Sequence, residues 1–156
     1  EAEIAFILKE DIQGPGITKE DVILATEKIV PCFEIVDSRI DDWKIKIQDT
    51  IADNASCGIF VLGEGSSSPE KFPMDELEVV VHKNGEFLSS GLGSAVQGHP
   101  AEAVAWLANT LGEYDIPLLK GEFILSGSLV PLEPAIAGDS FSLELKGVGT
   151  CEINFI

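Results

Sequence analysis

The chain has 156 residues, 45% of them apolar and 24% charged, with a formal net charge of -17. A domain of that length buries roughly 70% of its unfolded surface, so it needs no disulfide or structural metal to fold. So acidic a surface repels phosphate backbones and anionic lipid, which sets nucleic acid and membrane aside as partners; no apolar run approaches the ~20 residues of a membrane helix.

In chain order, 2–8 reads as a strand that is apolar on both faces after Glu3. Gly14-Pro15-Gly16 is a loop. Thr18 stands three residues before Asp21, close to a capping box, with Val22, Ala25, Thr26 and Ile29 following at helical spacing. Pro31 is expected to end that helix, and 32–37 to form a second short strand. The stretch 41–56 is polar and irregular, and 58–62 reads as a buried strand. A Ser/Pro-rich loop covers 65–73. The clearest hairpin runs from 76 to 90 around Asn84-Gly85. Pro100 and Gly112 frame a second helix with Val104, Leu107, Ala108 and Leu111 on its apolar stripe. Strands are expected at 122–125, 140–145 and 150–155, with Gly147 and Gly149 in the last turn. Many strands, two short helices and no regular βαβ alternation give an α+β, mainly β, single domain over 1–156. The chain opens at Glu1 inside a strand, so it is expected to be the C-terminal part of a longer polypeptide, with further site residues upstream.

Cys32, Cys57 and Cys151 are an odd count without C-x-x-C spacing. They read as reduced, mostly buried thiols of a cytoplasmic protein rather than a disulfide framework or a zinc cluster.

Glu1 and Glu3 are two apart on a strand and share a face that continues into Ala5 and Ile7. Glu34 stands between Phe33 and Ile35 in another apolar strand. Three carboxylates from two strands suit Mg²⁺ or Mn²⁺, which prefer hard oxygen ligands. The plainer alternative is a solvated strand end, with Glu34 paired to a lysine or arginine. In 37–56, Asn54 and Ser56 are candidates for orienting a water or a substrate carboxylate, and Lys46 for balancing a substrate anion. The same residues also fit a solvated loop of Asx turns. His82 reads as a cross-strand histidine and His99 as a helix cap. Gly91-Leu92-Gly93-Ser94 lacks the lysine of a phosphate loop.

Several segments resemble the C-terminal half of the 2-keto-4-pentenoate (2-hydroxypentadienoate) hydratases, within the fumarylacetoacetate hydrolase superfamily. They are Glu1-Ala2-Glu3-Ile4-Ala5-Phe6, Glu34-Ile35-Val36-Asp37-Ser38-Arg39-Ile40, Asp42-Trp43, 49–58, Gly98-His99-Pro100, Ala105-Trp106-Leu107-Ala108 and Ile124-Leu125-Ser126-Gly127. The resemblance implies a mixed β-roll, a divalent metal on Glu1, Glu3 and Glu34, and a homo-oligomer that acts on small 2-oxo or 2-hydroxydienoic acids. It also implies meta-cleavage catabolism of aromatic compounds and association with another enzyme of that pathway. It adds Asp53 and Ser126 to Lys46 as substrate contacts, with Asn54 and Ser56 as catalytic residues. The sister 4-oxalocrotonate decarboxylases typically carry Asp-Phe-Lys-Phe where this chain has Asp42-Trp43-Lys44-Ile45, and Thr-Gly-Gly-Ile-Thr where it has 126–131. Both departures favour a hydratase, with the decarboxylase or a non-catalytic partner subunit as alternatives.

Overall fold

A computed structural model describes every residue from Glu1 to Ile156. Two antiparallel sheets face one another across the core. The first has the order β3-β2-β1-β7, built from β1 (Ala2–Leu8), β2 (Thr26–Val36), β3 (Cys57–Leu62) and β7 (Phe123–Leu125). The second has the order β4-β9-β8-β5-β6, from β4 (Glu64–Gly65), β5 (Glu78–Lys83), β6 (Glu86–Leu92), β8 (Ser140–Leu145) and β9 (Gly149–Asn154). Every strand pair is antiparallel, where the resemblance implied a mixed roll. The helices are α1 (Lys19–Ala25), α2 (Ile47–Ala52) and α3 (Pro100–Gly112). The short α2 inside the polar stretch makes one helix more than the two expected. The architecture is α+β, mainly β.

Alternation on β1 divides its side chains between two environments. Ile4, Phe6 and Leu8 point at Val79, Val81, Leu143 and Leu145 of the second sheet, closed at one end by Val104 and Ala108 of α3. Glu3, Ala5 and Ile7 point the other way, with Val30, Cys32 and Glu34 beside them. That face is buried too, because the sheet curls on itself: Phe60 on one edge strand and Phe123 on the other bring their rings to 6.1 Å.

The helix expected to run to Pro31 stops at Ala25. Its start is as read: Thr18 and Asp21 form a full capping box. At its end the Thr26 hydroxyl donates to the Val22 carbonyl at 2.7 Å, and the chain turns extended. β-Branched Ile29 and Val30 then favour the strand. Pro31 sits inside β2 without cost. Its neighbours Val30 and Cys32 face β1, while its own backbone faces the point where β3 has ended; its carbonyl accepts from Gly63 and no N–H is required.

Residues 58–62 do form a strand, but not a buried one: β3 is an edge, leaving Ile59 63% and Phe60 44% exposed. The hairpin is as expected, with Asn84 and Gly85 both at positive φ, as a type I′ turn requires. His82 packs edge-on against Phe87, and His99 caps α3 by accepting from the Ala101 amide at 3.1 Å. The three cysteines are free, with Cys32 and Cys151 buried. No helix is long and apolar enough to cross a membrane.

Candidate metal centre

The register of β1 against β2 brings the acids together. Glu1 and Glu34 are directly paired: the Glu1 backbone nitrogen donates to the Glu34 carbonyl at 2.8 Å, and the Glu34 amide donates back at 3.0 Å. Glu3 pairs with Cys32, one step further along the same face. Carboxylate oxygens of Glu1, Glu3 and Glu34 consequently all lie within 4.8 Å of one another.

Glu3 is 2% exposed, while Glu1 and Glu34 are half-buried. Burial pushes the Glu3 carboxyl up from its ordinary 4.5 to about 8, and the two neighbouring glutamates push the same way. A single group opposes them. The Gly127 amide donates to Glu3 Oε2 at 2.7 Å, from a backbone with φ +104° that suits glycine. None of the six ion pairs in the structure involves Glu1, Glu3 or Glu34. The cluster is a set of hard oxygen donors with surplus negative charge and no lysine, arginine or histidine paired to it, which is the donor chemistry that fits Mg²⁺ or Mn²⁺.

The other sequence candidates fall into two groups. Ser126 follows β7 and is buried beside Glu3, but its hydroxyl is tied to backbone: it accepts from the Ile4 amide at 3.4 Å and donates to the Gly127 carbonyl at 3.2 Å. Asp53 and Ser56 bond to each other. Asp53 Oδ2 accepts from the Ser56 hydroxyl at 2.8 Å, the Arg39 amide at 3.1 Å and the Ser38 hydroxyl at 3.3 Å. These donors, Ser56 first, hold the Asp53 carboxyl below its usual range. They close the base of the 37–57 excursion, where the Asp37 amide also donates to the Ser56 carbonyl. Lys46 leads into α2 and Asn54 sits on a one-turn 3₁₀ helix at positive φ; both are exposed.

Sequence reasoning missed two neighbours of the cluster. One is the Gly127 amide, whose signal was a glycine directly after Ser126. The other is Cys57, whose thiol lies against Glu34 and is pushed up, first by burial and then by that carboxylate. It also missed a cavity of about 780 Å³ at the end of the sheets, lined by Glu1, Glu34 and many apolar side chains.

The fumarylacetoacetate (FAA) hydrolase C-terminal family model matches residues 1–156, and the chain belongs to that family. It is 64% identical to a 2-hydroxyhexa-2,4-dienoate hydratase of Comamonas testosteroni over 99% of this chain and 59% of the relative. It is 60% identical to a 2-hydroxypent-2,4-dienoate hydratase of Pseudomonas putida over 74% of this chain and 52% of that one. Among solved structures, a 4-oxalocrotonate decarboxylase from Pseudomonas putida G7, complexed with magnesium and adipate, superposes with a TM-score of 0.95 at 38% identity, over all of this chain and 59% of the other. The chain thus matches between about half and three-fifths of the length of these relatives.

Proposed function

We propose that residues 1–156 form a single catalytic domain of a divalent-metal hydratase. It adds water to 2-hydroxypenta-2,4-dienoate or a close homologue to give the 4-hydroxy-2-oxo acid. The observation that carries this is the convergence of Glu1, Glu3 and Glu34 with no lysine, arginine or histidine paired to them. Identity of 64% and 60% to hydratases, against 36% to a decarboxylase, supports the choice of reaction.

In this reading Glu1, Glu3 and Glu34 hold Mg²⁺ or Mn²⁺. The bound ion supplies the positive charge that draws a 2-oxo acid's carboxylate and 2-oxygen and favours enolate character at that end. The chain's own residues do the rest. Gly127 fixes the Glu3 carboxylate by donating to its Oε2. Asn54 and Lys46 have exposed side chains available to a water or to substrate. Asp53 and Ser56, bonded to each other, hold the excursion that carries those two, and Ser126 locks the strand beside Glu3. The reading carries with it a cytoplasmic homo-oligomer in aromatic catabolism that associates with another enzyme of that pathway. The support for assembly is the set of large apolar side chains left exposed, Leu24, Phe87 and Trp106 among them.

The test is product analysis with the full chain and Mg²⁺. Conversion of 2-hydroxypenta-2,4-dienoate to 4-hydroxy-2-oxopentanoate is expected. The TM-score of 0.95 to a decarboxylase keeps one rival in view: release of CO₂ from 2-oxo-3-hexenedioate, with no hydration of the pentadienoate, would establish that reaction instead. Inertness to both with Mg²⁺ still bound would indicate a partner subunit.

A further inference from the structure

An irregularity in the first sheet turns the Cys57 thiol toward the acid cluster. On β2, Glu34 and Val36 share the face that carries the acids, and Ile35 lies on the other. On β3, Ile59 pairs with Ile35 and takes its face. Strict alternation would put Cys57, two residues earlier, on that face as well. Instead Cys57 pairs with Val36, because the register slips between Ile35 and Val36 and leaves Gly58 without a partner. This one extra residue is a β-bulge, and it shifts the alternation so that Cys57 joins Glu34. Glycine is required at the bulge, since a Cβ on Gly58 would stand 2.6 Å from the Ile35 carbonyl oxygen.

The backbone leading into Cys57 is costly. Asn54, Ala55 and Ser56 have φ of 52°, 55° and 56°, in the left-handed region that residues with a Cβ avoid. The Ser56 hydroxyl bond to Asp53 and the Asp37 amide bond to the Ser56 carbonyl hold them there. The chain emerges from this segment with the thiol against the Glu34 carboxylate. That carboxylate has no counterpart to the Gly127 amide that fixes Glu3, and the Glu34 backbone is spent on Glu1.

Resting on the metal reading, we propose that Cys57 is a positioning residue, whose S–H donates to the Glu34 carboxylate and orients it as a ligand of the divalent cation. A thiol is a weak donor, but it is uncharged. It fixes the carboxylate without neutralising the negative charge that attracts the ion, as a lysine or arginine there would do.

The test measures Mg²⁺ affinity by calorimetry and the stability of the chelated protein by denaturant unfolding. Cys57 is only half-buried, so Cys57→Ala should keep the unfolding midpoint while Mg²⁺ binding weakens by about tenfold. Cys57→Ser restores an uncharged donor and should return the affinity to within about threefold of the parent. Cys151, buried in the core and donating to the Val61 carbonyl at 3.5 Å, is the control: Cys151→Ala should lower the midpoint and leave Mg²⁺ affinity unchanged. Methylthiolation of the folded parent reaches Cys57 while Cys32 and Cys151 are buried, and removes the same donor after folding. It should lower Mg²⁺ affinity at least as far as the alanine does. Unchanged affinity in Cys57→Ala or in the methylthiolated parent, a serine no better than the alanine, or an equal loss in Cys151→Ala overturns the proposal. The parent separates the two readings. If it binds Mg²⁺ and Cys57 makes no difference, only the positioning role falls; if it binds none, the metal centre falls as well.

Discussion

Glu3 and Asp53 are both carboxylates taken largely out of water, with Glu3 2% exposed and the Asp53 side chain 6% exposed, yet their surroundings are opposite. Asp53 is ringed by donors: two hydroxyls, a backbone amide and a guanidinium. Its negative charge is satisfied within the chain, and its carboxyl stays below the usual range. Glu3 has one amide donor and two carboxylate neighbours, and its carboxyl is pushed up to about 8. Such an arrangement persists when something outside the chain neutralises it, because an uncompensated buried charge is costly. A buried acid therefore marks a binding site by the partners it lacks, and the same residue type with its partners present marks a structural rivet.

The largest expected effect breaks the comparison at Glu3. Glu3→Gln keeps an oxygen that accepts from Gly127 but removes a charged ligand. Mg²⁺ affinity, measured by calorimetry, should fall by at least about a hundredfold, and activity at limiting Mg²⁺ with it. Above about pH 8 the metal-free variant should be no less stable than the parent, since a buried charge has gone. Unchanged Mg²⁺ affinity would remove Glu3 from the site.

The next test uses pH. The folded carboxyl of Glu3 titrates near 8, above its ordinary 4.5. A group whose folded pKa is raised favours the fold while protonated. Its contribution is fully present below about 4.5 and is lost as pH rises through about 8. The chelated protein should therefore lose stability between those limits in denaturant titrations. Saturating Mg²⁺ should abolish that loss, because the ion replaces the proton. Apparent Mg²⁺ affinity should rise by up to about tenfold per pH unit below 8, then level off. A pH-independent affinity between 6 and 8 would mean that Glu3 is already ionised in the metal-free fold.

Gly127→Ala gives a smaller effect on the same site. An added Cβ would meet nothing closer than Val96 at 3.6 Å, so the cost is conformational. Holding alanine at φ +104° should cost about 1–3 kcal/mol in denaturant unfolding. If the backbone relaxes instead, the amide leaves Glu3 and Mg²⁺ affinity drops while stability holds. Neither change would show that the glycine is not required there.

The acid site was more legible in the sequence than the excursion, for a physical reason. Glu1 and Glu3 share a strand face by period-two alternation, and Glu34 lies in a recognisable apolar strand, so only their register was left to the fold. The hairpin at Asn84-Gly85 and the caps at Thr18 and His99 were legible because their signals are local. The end of α1 was misread because Thr26 and Ile29 fit a helical stripe as well as a strand, and only pairing with β1 decides between them. The exposure of Ile59 and Phe60 was hidden because an apolar run does not say whether its strand lies at an edge. In the excursion, Asp53 and Ser56 were read toward substrate. In the fold Asp53 also accepts from Ser38 and Arg39, 15 and 14 residues away across a loop closure that no periodicity encodes, and Ser56 donates to Asp53.

Asp53→Asn tests the other half of the comparison and should have the smallest effect. The asparagine oxygen in place of Oδ2 keeps the Ser56, Arg39 and Ser38 donors, and only the pairing of Oδ1 with Arg39 Nε at 3.5 Å is lost. That guanidinium is 57% exposed, so the pair is screened and its loss is mild. Hydrogen exchange should quicken at the Arg39 and Ile40 amides, which donate to Asp53 and to Ser38, while β1 and β2 keep their protection. Mg²⁺ affinity should stay within about twofold of the parent, because a rivet that survives leaves the cluster's register unchanged. A fall in Mg²⁺ affinity comparable to that of Glu3→Gln would place Asp53 among the acids that meet the ion, and the division between satisfied and unsatisfied carboxylates would no longer separate structure from site.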